Sequence, residues 1–330
     1  MSTPPVKPSS WPPRTDSSAG DAPTPGEPVN APAEAVTDLI NLPTGKELDD
    51  LEAANLQAAR SVRLVVVAGP VGSGKTTLIA SLYELFQWNR VSDYSFGGSR
   101  TLPAFERRCY LSRIASERAA ADTERTTYGE VRYLHLQIWK EDFTRGPLDL
   151  LFTDITGESF ESARNSIAEC ERLEFLRQAD HFLLLLDSEK LVRKEKRWQV
   201  AHEGMMLLRS CLDSKMLSGT SLVNVVFAKF DYLHAAWNEE NDRFLEKVMD
   251  EFQKEFGSRV GRLTFSQVAA RPTESPKLNF GHGLPELLKD WAVVSPRERS
   301  MKILQHETAG ASRESEFFGV RHFGSSQASE

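Results

Sequence analysis

The run Leu64-Val65-Val66-Val67-Ala68 passes directly into Gly69-Pro70-Val71-Gly72-Ser73-Gly74-Lys75-Thr76, an apolar, β-branched strand followed by a complete G-x-x-x-x-G-K-[ST] loop. Such a loop needs a strand to enter it and a helix to leave it, because its backbone N–H groups must converge on an anion. Gly69, Gly72 and Gly74 permit positive φ and leave no side chain in the path of a phosphate. Thr77-Leu78-Ile79-Ala80-Ser81-Leu82-Tyr83-Glu84-Leu85-Phe86 continues with helical spacing. A phosphate therefore lands on a helix N-terminus, at Ser73, Gly74, Thr76 and Thr77. Lys75 is placed to neutralise the β- and γ-phosphates of a nucleotide, and the Thr76 hydroxyl to ligate Mg2+.

From residue 62 onward strands and helices alternate, which predicts an α/β, three-layer P-loop NTPase fold: a mostly parallel sheet, one antiparallel edge strand, helices on both faces. Strands are expected at 62–68, 131–140, 148–154, 181–187, 222–227 and 262–268, and helices at 75–86, 160–178, 194–212, 239–255 and 284–291. The strand at 131–140 alternates Leu134, Leu136 and Ile138 against Tyr133, His135 and Gln137, the pattern of a half-solvated edge, with His135 facing water. Residues 1–45 hold nine prolines before Ala33 and are expected to be a disordered tail. A leading helix at 46–60 then opens a domain reaching to 295, and 296–330 reads as a flexible tail in which Phe317, Phe318 and Phe323 are available to a partner.

Two later strands end in chemistry. Leu148 to Thr153 delivers Asp154-Ile155-Thr156-Gly157, a D-x-x-G in which Asp154 can hold Mg2+ and the Gly157 N–H can grip a γ-phosphate. Leu222 to Phe227 delivers Ala228-Lys229-Phe230-Asp231, close to the [NT]-K-x-D box. The Asp231 carboxylate can accept two hydrogen bonds from guanine, which adenine does not offer, while the stem of Lys229 lies along the base. Ala228 departs from that box by lacking the amide or hydroxyl. The small residues Ala269 and Ala270 follow the next strand and could let a backbone N–H reach the guanine oxygen.

The interval 89–128 occupies the place of a first switch and carries a helix around Ala104 to Ala115. Thr126 or Thr127 can supply a second hydroxyl to Mg2+, and Arg125 beside them can act as an internal arginine finger. The formal net charge of −7 disfavours nucleic acid, and Arg193-Lys194-Glu195-Lys196-Arg197 reads as a solvated helix face. Three scattered cysteines, Cys109, Cys170 and Cys211, indicate neither a disulfide framework nor a zinc site and fit a reducing cytoplasm. No apolar run approaches a membrane span.

The set Gly69 to Thr76, Phe96 to Leu102, Phe105-Glu106-Arg107-Arg108, Asp154 to Gly157, Ala179 to Asp187 and Ala228 to Asp231 resembles the double-GTPase family, double-GTPase 2 type, a group of bacterial TRAFAC-like P-loop GTPases. The resemblance covers about 62–294. It implies a regulatory GTPase that binds GTP and GDP and acts with a second GTPase and effector proteins in bacterial conflict or defence systems. Glu158 stands where a glutamine often orients the attacking water; its charge opposes a γ-phosphate unless a cation lies near, so slow turnover is expected. Two other readings compete. One is an ATPase or small-molecule kinase with Arg164, Arg172 and Arg177 as a lid; the other is a nucleotide-binding interaction protein that does not hydrolyse.

Overall fold

The computed structural model describes residues 45–117, 131–140, 146–275 and 277–292. Residues 1–44 of the expected N-terminal tail, the whole of the expected C-terminal tail, and Arg125, Thr126 and Thr127 lie outside them. The described residues belong to one unit, Pro43–Glu330.

The chain begins with α1 (Asp50–Ala59), β1 (Val62–Ala68), α2 (Lys75–Trp88), β2 (Tyr94–Gly98), α3 (Leu102–Glu117), β3 (Arg132–Lys140) and β4 (Leu148–Asp154). It continues with α4 (Gly157–Asn165), α5 (Ile167–Glu171), β5 (His181–Asp187), α6 (Ser188–Leu191), α7 (Arg197–Asp213) and β6 (Leu222–Ala228). The last elements are α8 (Phe230–Ala235), α9 (Glu239–Phe256), β7 (Arg262–Val268) and α10 (Leu284–Ala292).

Seven strands pair in the order β2-β3-β4-β1-β5-β6-β7. From β4 to β7 all neighbours are parallel, whereas β3 runs antiparallel to both β4 and β2. The mostly parallel α/β sheet is thus as expected, but the antiparallel strand read as the edge has β2 outside it. Tyr94-Ser95-Phe96-Gly97-Gly98 carries two glycines and gives little strand signal. Gly97 is there for space: a Cβ would meet Trp139 Cδ1 at 2.6 Å.

Covering by β2 and the turn behind it also overturns the expectation of a solvated His135, which is only 3% exposed. Ser99 Oγ donates to the His135 carbonyl at 2.6 Å and the Arg100 N–H donates to Nδ1 at 3.0 Å. An accepting Nδ1 places the ring proton on Nε2, which donates to Asp149 Oδ1 at 2.8 Å. Burial pushes the Asp149 carboxyl up, but hydrogen bonds from His135 and Gln137 outweigh it and hold the group below the usual carboxylate range. Alternation identified the face correctly and the wrong environment, because pattern reports the pleat and not what later covers it.

Along β1, Leu64, Val66 and Ala68 join one core cluster and Val65 and Val67 the other, as the two-residue period of a strand buried on both faces requires. The first cluster includes Phe160 of α4, Leu208 of α7 and Phe252 of α9; the second includes Leu78 of α2, Phe105 of α3 and Trp291 of α10. This gives the three layers. The single helix expected at 160–178 is broken into α4, α5 and a 3-10 turn at Glu174–Gln178. Ser166 adopts extended backbone and its hydroxyl accepts from the Glu169 N–H at 3.4 Å, so a cap starts a new helix where helical spacing alone predicted continuity.

Candidate functional site

Parallel strands present their C-terminal ends together, and the loops leaving β1, β4, β5, β6 and β7 meet there. Between β1 and α2, Gly72 and Gly74 take φ of 75° and 95°, left-handed values that a side chain would strain. Gly74 caps α2 without any side-chain hydrogen bond, so the first N–H groups of the helix stay available. Lys75 folds back over the loop, its Nζ donating to the carbonyls of Gly69 at 2.9 Å and Pro70 at 3.1 Å. Burial pushes its ammonium down to about 8, while Asp154, Glu158 and Glu161 act in the opposite sense. Ser73 Oγ is buried without a hydrogen-bond partner. An orphaned hydroxyl, an uncapped helix start and a buried lysine all fit a phosphate.

The D-x-x-G lies directly against this loop. A Cβ on Gly157 would stand 2.3 Å from the Val71 nitrogen and 2.6 Å from the Pro70 carbonyl carbon, so only glycine allows the approach. Four residues on, Glu161 Oε1 accepts from the Val71 N–H at 3.0 Å, tying α4 to the loop. Asp154 is 3% exposed and is paired with Arg108 Nη2 of α3, whose Nη1 lies 2.6 Å from Glu47 Oε1. Glu158 is exposed at the start of α4. Thr76 and Thr77 are half-buried in the first turn of α2. A hydroxyl in that turn together with a buried carboxylate at the end of β4 is an all-oxygen donor set suited to Mg2+.

On the other side of the loop, Lys229 holds φ 54° and turns the chain from β6 into α8. Its Nζ donates to Asp187 Oδ2 at 3.2 Å and Glu189 Oε2 at 2.9 Å. Burial works against this charge, but Asp187 and Glu189 more than compensate and raise the Lys229 pKa. Asp231 is 2% exposed, and its Oδ2 accepts from the backbone N–H groups of Thr273 at 2.9 Å and Glu274 at 3.2 Å. These bonds lock the loop after β7 onto Asp231 and all arrive at one of its two oxygens. In that loop the Ala269 N–H donates to the His282 carbonyl at 3.0 Å. Ala270 accepts from the Gly281 N–H through its carbonyl at 3.0 Å.

Two of the lid arginines are paired elsewhere, Arg164 with Glu203 at 2.8 Å and Arg172 with Glu169 at 2.8 Å; Arg177 is exposed. Sequence reasoning missed Arg108, Glu161, Asp187 and Glu189 as participants. For Arg108 a signal existed. Phe105 and Cys109 form the buried stripe of α3, and Arg108, three residues after Phe105, falls on the same stripe, where an unpartnered charge is not tolerated.

A family model, Double-GTPase 2, matches residues 63–292. The chain belongs to the Double-GTPase 2 family. The matched region runs from β1 to α10, so it contains every loop just described. Among curated proteins none matches the chain significantly. Two solved structures are similar to this Double-GTPase 2 chain. One is described as a crystal structure of bacterial selenocysteine-specific elongation factor EF-Sec, at 19% identity, TM-score 0.35, covering 70% of this chain and 28% of that one. The other is described as Methanosarcina barkeri Roco2 RocCORdC bound to GDP, at 17% identity, TM-score 0.33, covering 70% and 49%. The chain thus spans less than two thirds of either.

Proposed function

We propose that this Double-GTPase 2 chain is a GTP-binding regulatory switch that hydrolyses GTP to GDP and phosphate, slowly and with the help of a partner. The observation that carries this reading is Asp231. A buried carboxylate stands at the end of β6, its Oδ2 fixed by two backbone N–H groups, on the same sheet edge as the phosphate loop. A site with such an acceptor favours the base that can donate to it. The phosphates would lie on Gly69, Gly72, Ser73, Gly74, Thr76 and Thr77, with Gly157 at the γ-phosphate, Lys229 along the base and Ala270 at the guanine oxygen. Ala269 contributes through its small size.

Thr76 and Asp154 would hold Mg2+, with Thr126 or Thr127 completing the set; when bound, the ion neutralises phosphate charge. Lys75 leaves the Gly69 and Pro70 carbonyls to meet the β- and γ-oxygens. Glu158 orients a water whose oxygen attacks the γ-phosphorus; the bond to the β–γ bridging oxygen breaks, GDP keeps that electron pair, and the water proton passes to phosphate. Lys75 supplies the nearby cation that a charged Glu158 requires. Arg125 would act as the internal finger. A domain at 46–295 between two flexible tails, a second GTPase or effector as partner, a conflict-system role and a cytoplasmic setting complete the proposal. Support for that setting is that the three cysteines are buried and form no disulfide, and no described helix is long and apolar enough to cross a membrane.

The experiment is competition of GDP, GTP and ATP for the purified chain, repeated with Asp231→Asn, alongside phosphate release over hours. Guanine preference that the variant abolishes, with slow release, is expected. ATP preference that the variant leaves unchanged would overturn the reading in favour of an ATPase, and binding without any product, even with partners, would leave a non-hydrolysing binder.

A further inference from the structure

Arg108 joins an inserted helix to the centre of the site. Its guanidinium spans two carboxylates: Nη2 pairs with Asp154, and Nη1 lies 2.6 Å from Glu47 and donates to the Ala104 carbonyl at 3.0 Å. The side chains of Arg108 and Asp154 are 11% and 4% exposed, so this is not a screened surface pair. A guanidinium stays charged at any physiological pH and bridges two acceptors through its planar fork. Asp154 is also the carboxylate that would serve a divalent cation at the end of β4. A cation there and the Arg108 guanidinium would lie within a few ångströms of each other and repel.

We propose that Arg108 is an internal counter-cation for the magnesium site: it holds Asp154 in the nucleotide-free chain, yields it when Mg2+ and nucleotide are bound, and so couples the inserted helix α3 to the state of the site. The inference rests on reading Asp154 as a cation ligand. Arg108 has somewhere to go when it lets go. Glu47 is fixed beside it, because Leu48 and Tyr133 exchange backbone hydrogen bonds at 2.9 Å in both directions, so the guanidinium keeps one carboxylate and is never left buried and uncompensated. The helix that carries Arg108 is in turn attached to the helix that starts at Lys75. Phe105 stacks on Tyr83 with centroids 4.7 Å apart, the Tyr83 hydroxyl donates to Glu106 at 2.6 Å, and Cys109 Sγ donates to the Ala80 carbonyl at 3.5 Å.

The test uses the full chain, its Arg108→Gln and Arg108→Lys variants, and a fluorescent GDP analogue whose dissociation is followed from chelated to millimolar Mg2+. The Mg2+ concentration that half-maximally slows dissociation should fall roughly tenfold in Arg108→Gln, the size of an ordinary linkage coupling. Arg108→Lys, which keeps the charge and loses the fork, should fall less and carries the test if the glutamine variant does not fold. By the same linkage, the loss of Tm caused by the substitution should be large in chelator and much smaller in Mg2+ with GDP. An equal loss in both conditions, or an unchanged or higher Mg2+ requirement, overturns the role of Arg108 while leaving GDP binding intact. Failure of the wild-type chain to bind GDP at any Mg2+ concentration would instead remove the cation reading of Asp154, and the proposal with it.

Discussion

At the scale of the residue, the site depends on contacts too close or too few for substitution. Gly157 is the sharpest case: a Cβ would come within 2.3 Å of the Val71 nitrogen, a backbone atom that cannot rotate away. Gly157→Ala should cost about 1–3 kcal/mol of stability, the range of overpacking, and should weaken GDP binding by displacing the phosphate loop. Urea unfolding and nucleotide titration of the same sample check both, and an unchanged GDP affinity would show that the D-x-x-G does not bear on the loop. Glu189 tests the base side. It is one of two carboxylates on Lys229 Nζ, at 2.9 Å, and Ala228 offers no amide there. Glu189→Gln should lower GDP affinity by roughly fivefold, about 1 kcal/mol for a partly exposed pair, measurable by calorimetry.

At the scale of the element, α3 is the addition that a phosphate-loop sheet does not by itself demand, yet it is built into the core. Phe105 is fully buried against Tyr83, whereas Tyr110 on the same helix is 61% exposed. Phe105→Ala should destabilise by about 3–5 kcal/mol and Tyr110→Ala by less than about 0.5 kcal/mol, a contrast that denaturant midpoints will resolve. If both are silent, α3 is a surface appendage. Elements such as β1 and β6 were legible because they are long apolar runs ending in a recognisable turn. β2 was not, since Tyr94-Ser95-Phe96-Gly97-Gly98 takes its strand state from pairing with β3 and not from propensity. The same dependence explains His135, whose partners Ser99 and Arg100 come from far along the chain. The phosphate loop and D-x-x-G could be read locally; Arg108 meets Glu47 and Asp154, and Lys229 meets Asp187, only once the chain has folded, and separation in sequence conceals such charge pairs.

At the scale of the molecule, acid should act through a residue remote from the site. His181 begins β5 and is 4% exposed; burial pushes its pKa down from the usual 6.5 to about 4, with Asp290 and Asp180 opposing and Arg262 and Arg63 adding to the fall. The unfolded chain therefore takes up a proton near 6.5 that the folded chain refuses until about 4. Stability present above 6.5 is lost as pH drops through that window, by up to about 3 kcal/mol. His181→Gln should flatten the unfolding free energy between pH 7 and 4, and parallel curves for the two proteins would contradict this. The sheet also carries a lesson about slippage. Apart from Asn224, β6 is apolar and buried along most of both faces, so hydrophobicity alone would tolerate sliding β6 past β7 by one step of about 3.3 Å. Asn224 Nδ2 donating to Ser266 Oγ at 3.0 Å is a polar index mark between them. One amide and one hydroxyl thus reinforce the backbone ladder that keeps the ends of β6 and β7, Ala228 and Val268, level with each other, and the loops after both strands leave the sheet from that common line.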